Sequence, residues 1–400
     1  LVVLTALYTI FGGMKSVLYT SVLQTPILLL GSLIILVLGF KELGGWDEMM
    51  RVCGAVTVND YGDTMTNLIR SNDDANFPWL GALIGSAIIG FWYWCTDQFI
   101  VQRVLSGKNE KEARRGTIFG AYLKLLPVFL FLIPGMIAFA LHQKYIGAGG
   151  EGFLPMLANG TANADAAFPT LVAKLLPAGV KGLVVCGILA ALMSSLASLF
   201  NSSAMLFTID FYKRFRPETP EKKLVGIGQI ATVVIVILGI LWIPIMRSVG
   251  DVLYTYLQDV QSVLAPGIAA AFLLGICWKR TSAQGGMWGL IAGMIIGLTR
   301  LGAKVYYSNA GEVADSTFKY LFYDMNWLFF CGWMFLFCII VVIVVSLATE
   351  APTAEKIQGL VFGTATKEQK AATRASWDHW DIIHTVIILA ITGAFYWYFW

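Results

Sequence analysis

The chain has 400 residues, of which 57% are hydrophobic and only 13% are charged, whereas about 25% of the residues of a soluble globular protein are charged. Its net charge is +3, and its lysines and arginines lie between apolar stretches rather than in one block, which gives no case for a nucleic-acid partner. Apolar stretches such as 22–40 contain no charge and can cross a bilayer core of roughly 30 Å. The sequence therefore predicts an all-α membrane protein.

Hydropathy and loop charge together predict a polytopic bundle of about nine membrane spans, preceded by an apolar segment that is too short to cross. The predicted segments are 1–12, 17–40, 79–102, 117–141, 179–212, 224–246, 252–278, 284–301, 326–348 and 381–400. The chain begins without an initiator Met, a basic region or a cleavage site, so we expect Leu1 to lie inside a span rather than in a signal peptide.

The charge of the loops orients these spans. The loop 41–78 holds seven acidic residues and three basic ones, whereas 103–116 and 213–223 each hold five lysines or arginines. Because positive loops stay in the cytoplasm, the loop 41–78 is predicted to be external, and the alternation of the later spans places the C-terminus outside. We expect a multi-pass protein of a plasma membrane or a bacterial inner membrane.

Polar residues inside apolar spans are costly and therefore mark candidate sites. The first such interruption, 93–98, brings together two aromatic rings (Tyr93 and Trp94), a carboxylate (Asp97) and an amide (Gln98). Asp97 and Gln98 have a second interpretation, in which they form an interfacial cap that reaches Arg103.

Lys124 is the only charged side chain in the span 117–141. The nearby Pro127 and Pro134 predict a distorted helix with freed backbone carbonyls, and an ammonium beside such a cavity could donate to a substrate hydroxyl. The alternative is that Lys124 snorkels to the cytoplasmic interface.

Small and hydroxyl side chains recur at spacings of three and four in the span 179–212, namely Ala191, Ser194, Ser195, Ser198 and Ser202. These spacings predict one broad helix face. Adjacent hydroxyls, with backbone carbonyls from a neighbouring broken helix, would supply the neutral oxygen ligands that Na⁺ accepts. A stripe of small residues for helix packing is the alternative.

The span 252–278 carries polar residues at helical spacing in its first half, namely Asp251, Tyr254, Gln258 and Gln261. Ala265-Pro266-Gly267 then predicts a break, as in a discontinuous helix that lines a cavity. A gently kinked, continuous span is the alternative.

Catalytic signatures do not accompany these polar residues. The three histidines lie at span ends, and the sequence has no HExxH motif and no nucleophile elbow. We therefore expect neither an enzyme nor an organic cofactor. Donors, acceptors and aromatic planes suit a polyhydroxylated ligand whose ring face stacks on Tyr or Trp.

Long runs around these residues strongly resemble the sodium/glucose cotransporter family, within the solute:sodium symporter superfamily. The runs are Phe91–Arg103 (FWYWCTDQFIVQR), Tyr122–Pro127 (YLKLLP), Ile188–Tyr212 (ILAALMSSLASLFNSSAMLFTIDFY) and Phe272–Arg280 (FLLGICWKR), with Leu7-Tyr8-Thr9-Ile10 and Gly12-Gly13. The resemblance covers nearly the whole chain. It implies a helical transporter with an inverted-repeat, LeuT-like fold, which drives the uptake of a glucose- or galactose-like sugar with Na⁺ by alternating access.

The resemblance also implies a division of the chain. Residues 1–78 would contain the end of the fourth core helix, all of the fifth and an external loop. Residues 79–278 would form the complete second repeat, with core helices six to ten. Residues 279–400 would add three peripheral helices and the cytoplasmic loop 349–376.

Roles for single residues follow from the same resemblance. Tyr93 resembles the inner-gate aromatic residue of the family and Trp94 its neighbour in the sugar site. Lys124 and Gln258 resemble the residues that hydrogen-bond sugar hydroxyls. The main sodium site would take its ligands from Ala191, Ser194 and Ser195.

The sequence departs from the family pattern in two respects. Members with a second sodium site have an acidic residue where this chain has Ser21 and a threonine where it has Ala197, so we expect one Na⁺ per sugar. The family places an extra helix and the first three core helices, which carry partner ligands for the sodium site, ahead of the position of Leu1. We therefore interpret the chain as N-terminally truncated and do not expect the 400-residue segment alone to transport.

Other functions stay open at this point. A sugar sensor or a sugar-gated cation pathway could use the same pocket without coupled uptake, and another polyol such as myo-inositol could replace the hexose. A membrane-embedded enzyme is disfavoured by the missing catalytic groups. The expected partners are a small sugar and the lipid bilayer, with a single chain as the functional unit.

Overall fold

The computed structural model describes residues 2–157, 160–247, 253–309 and 314–399, and within these ranges the chain is helical apart from loops and two isolated β-bridges. The α-helices are α1 (Val2–Leu43), α2 (Trp46–Gly54), α3 (Trp79–Cys95), α4 (Gln98–Leu105), α5 (Glu110–Pro127), α6 (Ile133–Gly147), α7 (Ala167–Leu175), α8 (Ala178–Met205), α9 (Lys213–Phe215), α10 (Glu221–Arg247), α11 (Leu253–Cys277), α12 (Ala283–Asn309), α13 (Thr317–Lys319), α14 (Trp327–Ala348), α15 (Ala354–Ile357), α16 (Lys367–Ala375) and α17 (His379–Tyr398). Three π-helical segments are π1 (Val128–Leu132), π2 (Leu206–Tyr212) and π3 (Tyr320–Asp324), and a 3-10 turn covers Ala164–Ala166.

Eight segments of the described chain are long and apolar enough to cross a membrane, and the bent pair α3 and α4 raises the number to nine. The eight are Gln24–Leu43, Glu110–Gly147, Ala178–Phe215, Glu221–Pro244, Leu257–Cys277, Ala283–Tyr307, Trp327–Ala348 and His379–Tyr398. This agrees with the sequence-based prediction of about nine spans. The predicted all-α, polytopic membrane architecture is confirmed.

The chain divides into two compact units. The first contains Leu1–Val58, Thr64–Thr66 and Gly120–Val252, and the second contains Asn59–Asp63, Asn67–Phe119 and Leu253–Trp400. This division follows compactness, whereas the predicted segments 1–78, 79–278 and 279–400 follow repeats of topology. The repeat assignment stays a prediction.

The first unit is built on the packing of α1 against α8. Glycines bring the two helices together, since a Cβ added at Gly31 would lie 2.7 Å from a Val184 methyl carbon and one at Gly187 would lie 2.9 Å from Ile27. In lipid, such close packing replaces the hydrophobic drive that holds soluble helices together. The buried core of the unit includes Ile35, Leu43, Ile133, Ile137, Leu141 and Val184.

Two predicted segments of the first unit, 1–12 and 17–40, are one helix in the structure. Helix α1 runs without a break over 42 residues, about 63 Å at 1.5 Å per residue, and only its part Gln24–Leu43 qualifies as a span. The gap predicted between the segments 1–12 and 17–40 is therefore helical in the structure. Glycine alone does not interrupt an apolar helix, because a helix that stays continuous satisfies its own backbone hydrogen bonds.

The second unit packs α3, α11, α12 and α14 together. A Cβ added at Gly85 of α3 would lie 2.9 Å from the Leu328 carbonyl oxygen of α14, and one at Gly267 of α11 would lie 3.3 Å from the Gly293 Cα of α12. Small residues at these contacts let the backbones of neighbouring spans touch.

The break predicted at Ala265-Pro266-Gly267 is absent, because α11 is continuous from Leu253 to Cys277 with Pro266 inside it. The alternative of a continuous span is the one that the structure supports. Pro266 removes one backbone N–H from the helix, but neighbouring helices allow a membrane span to tolerate this loss. Gly267 serves the close approach to α12 rather than a break.

A matched pair of glycines in α12 tests this packing. A Cβ at Gly297 would lie 2.5 Å from the Val263 carbonyl oxygen, whereas one at Gly302 meets nothing within 4 Å. Gly297→Ala should destabilise the protein by about 1–3 kcal/mol through overpacking, and Gly302→Ala should be neutral or stabilising by up to about 1 kcal/mol. Thermal unfolding in detergent measures both, and equal effects of the two changes would contradict the tight α11–α12 contact.

Candidate functional site

The span that contains Tyr93 and Trp94 is broken immediately after them. Helix α3 ends at Cys95, α4 begins at Gln98, and the two helices are bent by 49°. The Thr96 hydroxyl donates to the Trp92 carbonyl oxygen at 2.7 Å, which satisfies one acceptor at the end of α3.

Asp97 caps the helix that follows this break, α4. Its Oδ1 accepts from the Phe99 backbone N–H at 3.0 Å as the N-cap of α4, and the Arg103 guanidinium lies over the Phe99 ring at 5.3 Å. Asp97 is therefore an N-cap, at the break of a span, and the predicted reach to Arg103 stays a prediction.

Tyr93 and Trp94 present two ring faces at this joint. Their rings are perpendicular, with centroids 5.4 Å apart and an interplanar angle of 89°. Tyr93 is half-buried, and the Trp94 side chain is 49% exposed. Exposed aromatic faces stack on apolar ring faces of a ligand, and a joint between two short helices is a place where a gate can move.

Gln258 lies in the same unit as Tyr93 but at a different height along α11. Phe91 on α3 packs against Phe272 on α11, with ring centroids 6.1 Å apart. Gln258 precedes Phe272 on α11 by about 21 Å of helix axis at 1.5 Å per residue, and its side chain is half-buried. The structure therefore does not bring Gln258 next to Tyr93, and their joint role stays a prediction.

Lys124 belongs to the first unit and has an exposed side chain three residues before the end of α5. The helix continues into π1, whose last bond runs from the Ile133 N–H to the Val128 carbonyl. Pro134 lacks an N–H and follows directly, so the carbonyl that it would have bonded is freed. The predicted helix distortion is confirmed, and π-bulges of this kind are frequent at functional sites.

The serines of α8 fall on two different faces. Ser194, Ser198 and Ser202 are buried at spacings of four, whereas Ser195 is exposed and Ala191 is half-buried. The first three share one buried face, as the alternative interpretation of a packing stripe expects, and the sodium-ligand role of Ser194 stays a prediction. The Ser195 hydroxyl, four residues after Ala191, remains accessible on the adjacent face.

Neutral oxygen atoms are the sodium ligands that the sequence predicts in α8. The described residues contain no group of three or more His, Cys, Asp or Glu side chains that could hold a metal ion. Hydroxyl and carbonyl oxygens are acceptable ligands for a hard cation.

Sequence reasoning missed three charged residues in the second unit. Asp259 on α11 forms ion pairs with Arg300 and Lys304 on α12. The span predicted at 284–301 placed Arg300 at its end, where a basic residue attracts no notice. The sequence did contain a signal for this cluster. Arg300 and Lys304 are four residues apart on one helix, and a carboxylate, Asp259, directly follows Gln258 on another.

The loop before α3, predicted to be external, is ordered around Asp74. Its Oδ1 accepts from the backbone N–H groups of Phe77 at 2.7 Å and Asn76 at 2.9 Å. Burial alone would raise the pKa of Asp74, but these bonds and one from the Asn59 amide lower it overall. The ionised carboxylate thus stabilises the loop above about pH 4, and this contribution is lost as the pH falls through the lowered pKa.

Substitutions at Asp97 test the cap at the broken span. Asp97→Ala removes the acceptor for the Phe99 N–H and should cost about 0.5–2 kcal/mol, whereas Asp97→Ser keeps an N-cap oxygen and should cost less. Thermal unfolding in detergent compares the two. An alanine variant as stable as the serine variant would show that the cap does not hold the start of α4.

Comparison with known proteins identifies the family. The profile described as "Sodium:solute symporter family" matches residues 1–293. The chain is 36% identical to the sodium/mannose cotransporter SLC5A10 of Bos taurus over 417 aligned positions, which cover 99% of this chain and 70% of that protein. It is 38% identical to the sodium/glucose cotransporter 1 of Ovis aries, with 88% of this chain and 55% of that protein covered. It is also 36% identical to the sodium/myo-inositol cotransporter 2 of Homo sapiens, with 91% and 56% covered.

A solved structure shows the same fold. It is described as the substrate-bound outward-open state of a Na⁺-coupled sialic acid symporter, and it matches with a TM-score of 0.65 at 21% identity, over 88% of this chain and 66% of that chain. The match confirms the predicted LeuT-like helical architecture. The chain spans 55% to 70% of the length of the three relatives. On the profile match and these identities, the chain belongs to the sodium:solute symporter family.

Proposed function

We propose that the protein is a sodium-coupled secondary transporter that moves a sugar or a polyol by alternating access. The observation that carries this proposal is the broken span at Thr96-Asp97, which places the Tyr93 and Trp94 rings at a joint. A site that has to open to each side in turn requires such a joint. The names of the relatives, cotransporters of mannose, glucose and myo-inositol, support the ligand class.

Each of four side chains is proposed, from the family resemblance, to contact the substrate. Tyr93 and Trp94 stack on the ring face of the ligand, and Tyr93 also closes the site toward the cytoplasm. Lys124 and Gln258 donate hydrogen bonds to ligand hydroxyls. The exposed Trp94 ring and the π-bulge beside Lys124 support these roles, because a polar ligand in a span needs both an accessible ring face and freed polar groups.

The proposed sodium site uses the Ala191 carbonyl and the hydroxyls of Ser194 and Ser195. The exposed Ser195 side chain supports access for an ion, and the neighbouring Ser194 is buried. Neutral ligands suit an ion that must be released in each cycle, since charged ligands raise affinity. One Na⁺ per sugar is proposed because Ser21 stands where members with a second sodium site have an acidic residue, and Ala197 stands where they have threonine.

The energy for uptake comes from the ion. One elementary charge moving across the membrane potential contributes about 2.3 kcal/mol per 100 mV.

We further propose a plasma or bacterial inner membrane location, an external C-terminus and a single chain as the functional unit. The basic loops 103–116 and 213–223 support the orientation.

Uptake measurements test the proposal directly. Cells or proteoliposomes with the full-length protein should accumulate at least one of radiolabelled D-glucose, D-mannose and myo-inositol under an inward Na⁺ gradient, and not under a matched K⁺ gradient. A sugar-evoked current without accumulation of the label would favour the sensor or gated cation pathway instead.

Substitutions in the substrate site should lower sugar affinity. Gln258→Glu and Lys124→Ala each remove a donor to a buried hydroxyl, so the sugar concentration for half-maximal uptake (K0.5) should rise about 5- to 100-fold. Lys356→Ala changes an exposed lysine of α15 and serves as the matched control. An unchanged sugar K0.5 would remove the substituted residue from the proposed pocket.

Two serines of α8 separate ion binding from packing. Ser195→Ala should raise the K0.5 for Na⁺ roughly 10-fold through the loss of one oxygen ligand. Ser198→Ala, at a fully buried position of the packing stripe, should change it far less. The reversal potential of the sugar-coupled current gives the stoichiometry, and a slope that requires two Na⁺ per sugar would contradict the proposed single site.

A further inference from the structure

Two of the charged side chains buried in the spans of the second unit face each other across α11 and α12. Arg300 on α12 is 1% exposed and Asp259 on α11 is 9% exposed. Lys304, one turn after Arg300, donates to Asp259 Oδ2, and the Arg300 guanidinium lies 3.5 Å from Asp259 Oδ1. Charges inside a span are rare and costly unless they are paired. We refer to Asp259, Arg300 and Lys304 as the Asp259 cluster.

Arg300 is the fixed member of the cluster. Its guanidinium donates to the Met325 carbonyl oxygen at 2.8 Å and to the Leu321 carbonyl oxygen at 3.4 Å. The same group lies 4.1 Å from the centroid of the Phe330 ring, a cation–π distance. The planar fork of Arg300 is therefore held by π3 and α14 as well as by α12, and Asp259 docks on an anchored partner.

The face of α11 that carries Asp259 is the face that packs on α12. Val263 and Gly267 follow Asp259 at spacings of four, so the three positions share one side of the helix. A Cβ at Gly297 of α12 would touch the Val263 carbonyl oxygen, and Gly267 lies against Gly293. The ion pairs thus continue the α11–α12 contact toward the start of α11, beyond the last glycine contact.

Gln258 immediately precedes Asp259 on α11. Adjacent positions on an α-helix differ by about 100° in direction. When Asp259 is drawn toward Arg300 and Lys304, the rotation of this part of α11 is set, and the direction of the Gln258 side chain is set with it.

We propose that Asp259 is a positioning residue for substrate recognition. Through its ion pairs with Arg300 and Lys304 it fixes the rotation of the first turns of α11, so that Gln258 presents its amide to a ligand hydroxyl. Asp259 itself does not touch the ligand. This inference rests on the proposed role of Gln258 in the substrate site.

The test requires a variant that breaks the ion pairs of Asp259 without changing the net charge of the cluster. Asp259→Asn alone would leave both cations without a carboxylate, which destabilises a buried cluster. The double change Asp259→Asn with Lys304→Gln removes one negative and one positive charge, and Arg300 keeps its bonds to the Leu321 and Met325 carbonyl oxygens. Asp259→Glu retains the carboxylate and is the conservative control.

The experiment is a double-mutant cycle in the full-length protein. Sugar K0.5 is measured for the Asp259→Asn/Lys304→Gln variant, for Gln258→Ala and for the triple variant, with whichever of D-glucose, D-mannose or myo-inositol is transported. We expect the cluster variant to raise K0.5 about 10-fold, and the triple variant to differ from Gln258→Ala by less than about 2-fold, because both changes act through one hydrogen bond. Asp259→Glu should stay within about 3-fold of the unchanged protein, and the K0.5 for Na⁺ at saturating sugar should not move.

Two results would overturn the positioning role. One is an unchanged sugar K0.5 in the cluster variant, and the other is an equal rise in K0.5 whether or not Gln258 is present, which would indicate a general structural effect. Because K0.5 does not depend on the number of transporters, partial loss of protein from the membrane does not mask either result. If Gln258→Ala alone leaves sugar K0.5 unchanged, the proposed substrate site loses Gln258 and the positioning role falls with it. An effect of Gln258→Ala without an effect of the cluster variant overturns only the positioning role.

Discussion

A helix in a bilayer must satisfy its own backbone hydrogen bonds, because the surrounding hydrocarbon offers neither donors nor acceptors. Two departures from the α-helix in the spans of this protein show how this constraint is met. At the break after α3, the Trp92 carbonyl accepts from the backbone N–H groups of Thr96 and Asp97, and the Asp97 carboxylate accepts from the Phe99 N–H. In π1, the bond pattern shifts by one residue just before Pro134. The candidate substrate residues Tyr93, Trp94 and Lys124 lie next to these two departures.

Close packing of small residues supports the regular parts of both units. Gly31 and Gly187 bring α1 and α8 together in the first unit, and Gly267 and Gly293 do the same for α11 and α12 in the second. This packing also decides how the serines of α8 are used. The serines at spacings of four are buried, whereas Ser195, next to Ser194 in sequence, is exposed.

Buried charge is the exception in these spans, and it lies beside a predicted ligand-binding residue. A carboxylate and two cations on α11 and α12 replace apolar contacts where the first turns of α11 meet α12. An apolar contact is non-directional, whereas the hydrogen bond from Lys304 to Asp259 and the Arg300 guanidinium 3.5 Å away have a defined geometry. Such a contact suits a helix whose rotation matters for the direction of Gln258.

The sequence by itself determined the membrane class, the approximate spans and the family. Apolar stretches make polar interruptions such as 93–98 and Lys124 visible, and the long runs around them carry the resemblance that the relatives confirmed. Helix continuity could not be predicted in the same way. A proline inside a span is tolerated where neighbouring helices satisfy the backbone, so the break predicted at Pro266 was wrong, and the gap predicted between the segments 1–12 and 17–40 is continuous helix.

Only the tertiary structure decided which faces meet. Ser194 and Ser195 are adjacent in sequence and similar in chemistry, yet one is buried and the other exposed, because packing against neighbouring helices selects one side of α8. Asp259 finds its partner Lys304 at a separation of 45 residues. Sequence spacing along one helix defines a face, but the identity of the side chain opposite that face depends on how two helices approach each other. The Asp259 cluster could therefore be identified only from the contact between α11 and α12.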